Sequence, residues 1–422
     1  MAPDREGTQL HHNDEHKMKK LAYFLDTFPH YSETFILNEL RAMSRYEVDL
    51  SIYSVVRPFS QKIFDGIDHL LQMNRYLPAD YDRSKKTNAL AWFSLQSPRR
   101  LWQSWQTVNS WKDEEVLHLW GYCLPLAREL KERGVDHIHA HFANKASELA
   151  VLISMISGIP CSFTGHGRDV FCNQRLLREK MTQARYVIVV ADYMKEFLQK
   201  AYPDIPASKY QKIIMGVDPQ QFQPRAEVAK SRGFNILSVA RLEEKKGLTY
   251  LVEAQAMLRQ QGIDTRVMII GEGAMRSQLE TRIKDLKLTG YCLLPGVMAP
   301  KQVRDALMKT TVFCLPCVVA RDGDRDSMPV SIKEAMAMQV PVVATREVAI
   351  PEMVKDGAGI LAPPHDAQAL AEALKKIHEL TTEERERMGA IGREIIEREF
   401  SISDQTSRLA KLFGITAAKK RI

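Results

Sequence analysis

Short apolar runs recur along this chain, and most are followed by a longer stretch of helical period. The runs at 21–26, 47–55, 136–140, 161–164 and 186–190 read as strands, with helices at 34–44, at 144–156 and from 190 to about 201. Residues 213–233 hold two prolines and little period, and read as a connection between domains. The alternation then restarts. Strands are expected at 234–240, 265–270, a short run into Leu-Pro-Gly-Val-Met and 312–315, with helices at 248–261, up to 286, from 300 and at 329–338. The tail carries helices at 366–379, 382–398 and 403–412. Strands alternating with helices predict parallel, helix-covered sheets. The chain divides as a polar, disordered tail (1–17), a first domain (18–215), a linker (216–233), a second domain (234–398) and a final helix with a basic tail (399–422).

Composition narrows the class. The chain has 422 residues, enough for two or three cores, with 45% hydrophobic and 26% charged residues, as in soluble globular proteins. A net charge of +7 suits phosphorylated ligands or an anionic membrane surface, and no nucleic-acid signature accompanies it. No apolar run is long enough to span a bilayer, and the first residues lack the apolar core of a signal peptide. The expectation is a cytoplasmic protein whose six cysteines stay reduced, Cys314 and Cys317 being either strand-end residues or a metal or redox pair.

All five tryptophans fall at 84–133, a helical stretch interleaved with Arg83, Lys85, Lys86, Arg99, Arg100 and Lys112. They fit three roles: core packing, sugar stacking, or peripheral docking on the inner face of a membrane through residues 84–120. His137, His139 and His141 share one face of a strand, a spacing that serves packing, a hydrogen-bonding role or a zinc ion.

Candidate chemistry concentrates at 322–351. An acidic loop leads into the helix at 329–338, with Pro329 in its first turn. Met328, Pro329 and Val330 surround a helix mouth suited to an anion. Asp326 precedes the helix and Glu334 lies inside it, roughly 10 Å apart by helical rise, a span that can grip both ends of a nucleotide sugar. Arg241 and Lys246 stand where the strand at 234–240 gives way to a helix, and two cations there neutralise a diphosphate or are merely solvated. Gly271 and Gly273 follow another strand, and residues 295–298, Val297 among them, offer backbone to a base edge. Gly165 and Gly167 flank His166 at a strand's carboxyl end, where open α/β sheets bind ligands. Ser32, Glu33 and Thr34 fill the first strand–helix loop, where Ser32 is also a candidate N-cap.

The motifs SETFI, IHAHFA, FTGHGRDVF, IIMGVDPQQF, VARLEEKKG, IIGEG, LPGV, DSMPVSIKEAMA and PVVAT occur in this order across residues 18–412. The chain resembles family 4 of the retaining glycosyltransferases, and within it the enzymes of bacterial exopolysaccharide or lipid-linked oligosaccharide synthesis. The resemblance implies the GT-B architecture: two Rossmann-like domains face one another across a cleft, and the last helix crosses back to the first. The second domain would bind a UDP- or GDP-linked sugar. The first would bind a glycan, glycolipid or small-molecule acceptor on the side of Ser32, Glu33, Thr34 and His141. By the same likeness Arg241 and Lys246 match the diphosphate pair, Glu334 the ribose-binding glutamate, Asp326 the acid on the donor sugar and His166 the histidine beside it, with no metal required. The chain departs from the family pattern at Asp326-Ser327, where Glu-Gly is usual, and at Gln339 and Ala349, where glycine is common.

The reaction expected from these residues is transfer of a sugar with retention at the anomeric carbon. No covalent nucleophile stands out, which favours a front-face path. Two alternatives stay open: a non-catalytic subunit that binds nucleotide sugar or glycan, and a glycoside hydrolase using Asp326 and Glu334 as its acid pair.

Overall fold

The computed structural model describes residues 18–30, 33–58, 66–224 and 233–417. Ser32 and the proposed tail at 1–17 lie outside them. Among the described residues thirteen strands form two sheets, parallel throughout. The first sheet uses β1 (Lys19–Thr27), β2 (Val48–Val56), β3 (Asn74–Tyr76), β4 (His137–His141), β5 (Cys161–Gly165), β6 (Tyr186–Val189) and β7 (Tyr210–Lys212), in the order β3-β2-β1-β4-β5-β6-β7. The second uses β8 (Phe234–Val239), β9 (Thr265–Ile270), β10 (Cys292–Gly296), β11 (Val312–Leu315), β12 (Val342–Thr345) and β13 (Gly359–Ala362), in the order β10-β9-β8-β11-β12-β13.

Both orders reverse direction beside the first strand of their sheet, between β1 and β4 and between β8 and β11. A crevice opens at such a switch point, at the carboxyl ends of the strands. The buried apolar strands explain the sheets: in β8 only Asn235 and Val239 are partly exposed, and both faces are covered by helices.

The first sheet is covered on one side by the helices Arg83–Gln96, Pro98–Ser110, Glu114–Glu132 and Lys145–Ser157, and on the other by Thr34–Met43 and Ile402–Leu412. The last helix therefore does return to the first lobe: Leu409, Ala410 and Phe413 share a core with Leu21, Tyr23 and Leu40, and the Phe413 ring stacks on His137 at 4.2 Å. The lobes are joined twice at one place. Val217 donates its N–H to the Phe400 carbonyl and accepts from the Ile402 N–H, so the outgoing and returning segments run side by side as a short parallel bridge.

Most predicted elements lie within two residues of the observed ones. β3, β7, β12 and β13 were not expected: each is only three or four residues long, and β3, β7 and β13 are sheet edges or near the connection, too short to show a period. The helix expected at 329–338 is Val330–Ala337, with Pro329 as its N-cap. Gln339 does occupy a left-handed backbone position, φ 57°, which glycine fills without strain, whereas Ala349 does not, φ −98°. Cys314 and Cys317 are buried, not joined by a disulfide and, among the described residues, part of no metal-ligating cluster.

Candidate active site

One cleft of about 710 Å³ runs between the two lobes. From the second lobe Arg241, Lys246, Asp326 and Glu334 all line it, together with Met328, Pro329 and Val330. Gly271 and Val297 form part of its far wall. From the first lobe come Glu33, Thr34 and His166.

Lys246 is set by the single 3-10 turn Glu244–Lys246 that follows β8. It is buried and makes a short ion pair with Asp326, eighty residues later. Burial alone would lower the amine, but Asp326 outweighs it and holds Lys246 above its usual range. Burial would likewise raise Asp326, and the charges of Lys246 and Lys245 hold that carboxyl below its usual range instead. Both groups are therefore ionised at neutral pH. Lys245 runs a parallel pair to Asp324 at 3.0 Å, so two neighbouring lysines pin the acidic loop at alternate positions. Arg241 is more exposed and pairs with Glu243 at 2.6 Å.

The helix Val330–Ala337 begins at the cleft with no side chain capping it. Its first N–H groups have no partner within the helix. Glu334 lies one turn in, its carboxyl pushed up to about 7 by burial. Lys333 points the other way. It is fully buried, donates to the Met215 carbonyl at the lobe connection, and stands 5.9 Å over the Phe400 ring. Burial brings it down to about 7 from 10.5. A folded pKa below the unfolded one means the unfolded chain binds more protons between those values, so stability rises with pH from about 7 toward 10. The slope contributed is up to ~1.4 kcal/mol per pH unit. Denaturant unfolding at pH 7, 8 and 9 should show it, and Lys333→Met should flatten it; an equal slope in both proteins would show that Lys333 does not titrate there.

The first lobe builds its side from loops after β1, β4 and β5. Asp169 is buried and accepts from the backbone N–H groups of Ala143, His166 and Gly167, which shapes the Gly-His-Gly turn. His166 is held between Phe35 and Phe142, with ring centroids at 4.9 and 4.4 Å. Burial, then the neighbouring His141, keeps its imidazole neutral. Glu33 is raised to about 7 by burial and by Asp26, against the pull of Arg241 across the cleft.

Two expected site residues stand outside the cleft lining. Gly273 does not line the cleft: a Cβ there would sit 2.5 Å from the Leu242 carbonyl oxygen, so the glycine serves packing of its own chain. His141 is fully buried behind His166 and does not reach the cleft. Ser32 is outside the described residues. Gly271 does line the cleft, but an added Cβ would meet the Ala240 carbonyl oxygen at 1.9 Å.

Other lining residues went unnoticed in the sequence. Arg168 reaches from the first lobe to Asp322 at 2.6 Å, and Arg325 reaches back to the Tyr193 hydroxyl at 2.7 Å. The acidic run Asp-Gly-Asp-Arg-Asp was the available signal for the first pair. Of the tryptophans, Trp92, Trp111 and Trp120 pack against the first lobe's core, whereas Trp102 is 57% exposed and stacks on Trp105 at 5.1 Å.

Known proteins resemble this chain in sequence and in fold. Residues 86–221 match the family described as Glycosyltransferase Family 4, and residues 219–395 match Glycosyl transferases group 1. The amylovoran biosynthesis glycosyltransferase AmsK of Erwinia amylovora is 31% identical over 85% of this chain and 90% of its own. WcaL of Escherichia coli (strain K12), provisionally named a colanic acid biosynthesis glycosyltransferase, is 31% identical over 93% of this chain and 99% of its own. Among solved structures, Anabaena HepE in complex with UDP superposes with a TM-score of 0.70 at 16% identity, covering 94% of this chain and all of that one. A glycosyltransferase from Rickettsia africae also gives 0.70, at 15% identity, over 94% of this chain and 97% of its own. The two parallel sheets about a cleft are thus the GT-B fold. With the motifs, the fold and full-length relatives in agreement, the chain belongs to glycosyltransferase family 4.

Proposed function

We propose that the protein transfers a sugar from a UDP- or GDP-linked donor to an acceptor hydroxyl, with retained anomeric configuration, in the building of an exopolysaccharide or a glycolipid. One observation carries this reading: two basic side chains, an uncapped helix start and two carboxyl groups from separate segments of the second lobe line a single cleft. Arg241, Lys246 and the N–H groups at Val330 would hold the diphosphate, without a metal. Glu334 would take the ribose diol and Asp326 the donor sugar, beside His166. Gly271 and Val297 would lie along the nucleotide, with Glu33 and Thr34 on the acceptor side. The names of AmsK and WcaL support the exopolysaccharide setting.

In the proposed step the acceptor oxygen bonds to the anomeric carbon as the bond from that carbon to the phosphate oxygen breaks. The departing diphosphate takes the acceptor's proton on the same face. Cations and N–H groups aimed at the leaving oxygen stabilise charge where it develops, and closure of the lobes excludes water.

Thermal shift against UDP-, GDP- and ADP-sugars tests the donor. A donor at a hundred times its Kd should add about 2.7 kcal/mol of apparent stability. No shift with any sugar nucleotide would end the proposal, and binding without transfer across an acceptor panel would favour a non-catalytic subunit.

Peripheral membrane contact is part of the same proposal. Leu95 is 84% exposed and, with Trp102 and exposed Arg99 and Arg100, presents apolar and basic groups together. No helix among the described residues is long and apolar enough to cross a bilayer. Flotation with phosphatidylglycerol vesicles should recover the wild type, and the Trp102→Ala/Trp105→Ala double variant should bind at least roughly tenfold less, for a side-chain burial of ~1.5–3 kcal/mol. Equal flotation of both would place the contact elsewhere, and no flotation of either would end it.

A further inference from the structure

A chain of buried polar groups leads from the cleft into the first lobe. His166 Nε2 lies 3.0 Å from His141 Nδ1, and His141 Nε2 lies 3.2 Å from Glu39 Oε1. Glu39 Oε1 also accepts from the Tyr23 hydroxyl at 2.8 Å. His141 is fully buried and Glu39 is 4% exposed. Neither lines the cleft.

The order of donors along this chain follows from chemistry. Glu39 Oε1 already accepts from the Tyr23 hydroxyl, and an accepting carboxyl oxygen calls for the hydrogen on His141 Nε2. His141 Nδ1 then holds a lone pair and requires a hydrogen on His166 Nε2. That leaves His166 Nδ1 bare, and among the described residues it has no hydrogen-bond partner. A neutral imidazole so fixed accepts a hydrogen bond from a hydroxyl and repels another acceptor.

We propose that Glu39 and His141 are positioning residues that lock the tautomer of His166, so that the cleft offers a hydrogen-bond acceptor to a sugar hydroxyl. This deepens the donor reading and rests on it for the identity of the hydroxyl, but the tautomer itself does not.

A metal is the competing explanation, because Glu39, His139 and His141 bring ligand atoms within 4.8 Å of one another. Their donors are already engaged. Both His141 nitrogens and Glu39 Oε1 are used as above, and His139 lies 2.8 Å from Ser162 Oγ through Nδ1 and 3.1 Å from Thr164 Oγ1 through Nε2. The hydroxyls and carboxylate satisfy the rings without an ion.

The test uses the full-length protein labelled with ¹⁵N-histidine, with His166→Gln to assign the ring. In the wild type, long-range ¹H–¹⁵N spectra should show His166 protonated at Nε2 and bare at Nδ1. Glu39→Gln supplies an amide N–H that can donate to His141 Nε2 and reverse the chain, so His166 should acquire the Nδ1–H form in at least half of molecules. The same variant should keep the wild-type thermal shift with UDP or GDP, while its shift with the sugar nucleotide falls to the equivalent of at least threefold weaker binding. A wild-type His166 already protonated at Nδ1 overturns the proposal whether or not any variant folds. So does a folded Glu39→Gln protein with an unchanged His166 spectrum, or stoichiometric zinc in the purified wild type that the variant loses. If UDP, GDP and their sugars shift nothing, the donor reading falls, and the spectra alone decide the tautomer.

Discussion

Lys246→Ala is expected to lower kcat/KM for sugar transfer by at least ~100-fold, about 2.7 kcal/mol of transition-state stabilisation. The amine is buried, ionised and held against Asp326 before any ligand arrives, so it needs little rearrangement to meet a leaving diphosphate. The loss should fall mainly on kcat, because the charge it faces grows as the bond breaks. Removing it also strands the Asp326 carboxylate, and some stability will go with it. Arg241→Ala separates the two effects. Its guanidinium is more exposed, and among the described residues its ion-pair partner is Glu243, so its removal should change the melting temperature little while still costing about 100-fold in kcat/KM. Near-normal turnover in both variants would refute the assignment of Arg241 and Lys246 to a diphosphate.

Gly271→Ala should be among the most damaging single methyl groups in the second lobe. The backbone there has φ 144°, and the new Cβ would lie 1.9 Å from the Ala240 carbonyl oxygen. Neither partner can step aside: Ala240 donates to the Ile270 carbonyl and Gly271 donates to the Gly296 carbonyl, so β8, β9 and β10 are tied at this point. A clash between backbones is relieved only by moving strands, at about 3 kcal/mol or more. For a lobe of this size that is roughly 6–12 °C in melting temperature. Gly121→Ala is the control. It lies inside the helix Glu114–Glu132 with nothing within 4 Å of its new methyl, and should be neutral or stabilising by about 0.5–1 kcal/mol. Equal melting temperatures for the two variants would mean that the strand ends yield more easily than their hydrogen bonds imply.

The lobes and most elements could be read from the sequence because apolar runs and helical periods are local signals. The strand at 234–240 is an example: a run of buried residues announces it without any partner. β13 could not be found this way, since three of its four residues are only half-buried at a sheet edge. The site divides along the same line. Arg241, Lys246, Asp326 and Glu334 follow strand ends or begin a helix, positions where α/β sheets gather ligands, and they do line one cleft. What those groups do to one another was hidden. Asp326 reads as a free acid until Lys246 is seen beside it, and His141 reads as a cleft residue until Glu39, 102 positions away, is found behind it. Gly273 misled for a related reason. A glycine that makes room for a ligand and one that makes room for Leu242 look alike in one dimension.

The paired crossing at Val217 and Ser401 has a mechanical consequence. A single tether would let the halves tumble about it, whereas two cords knotted side by side resist torsion and yield most readily to bending. The enzyme should therefore gape and shut like a jaw along one arc, bringing the same opposing surfaces back into register on every turnover.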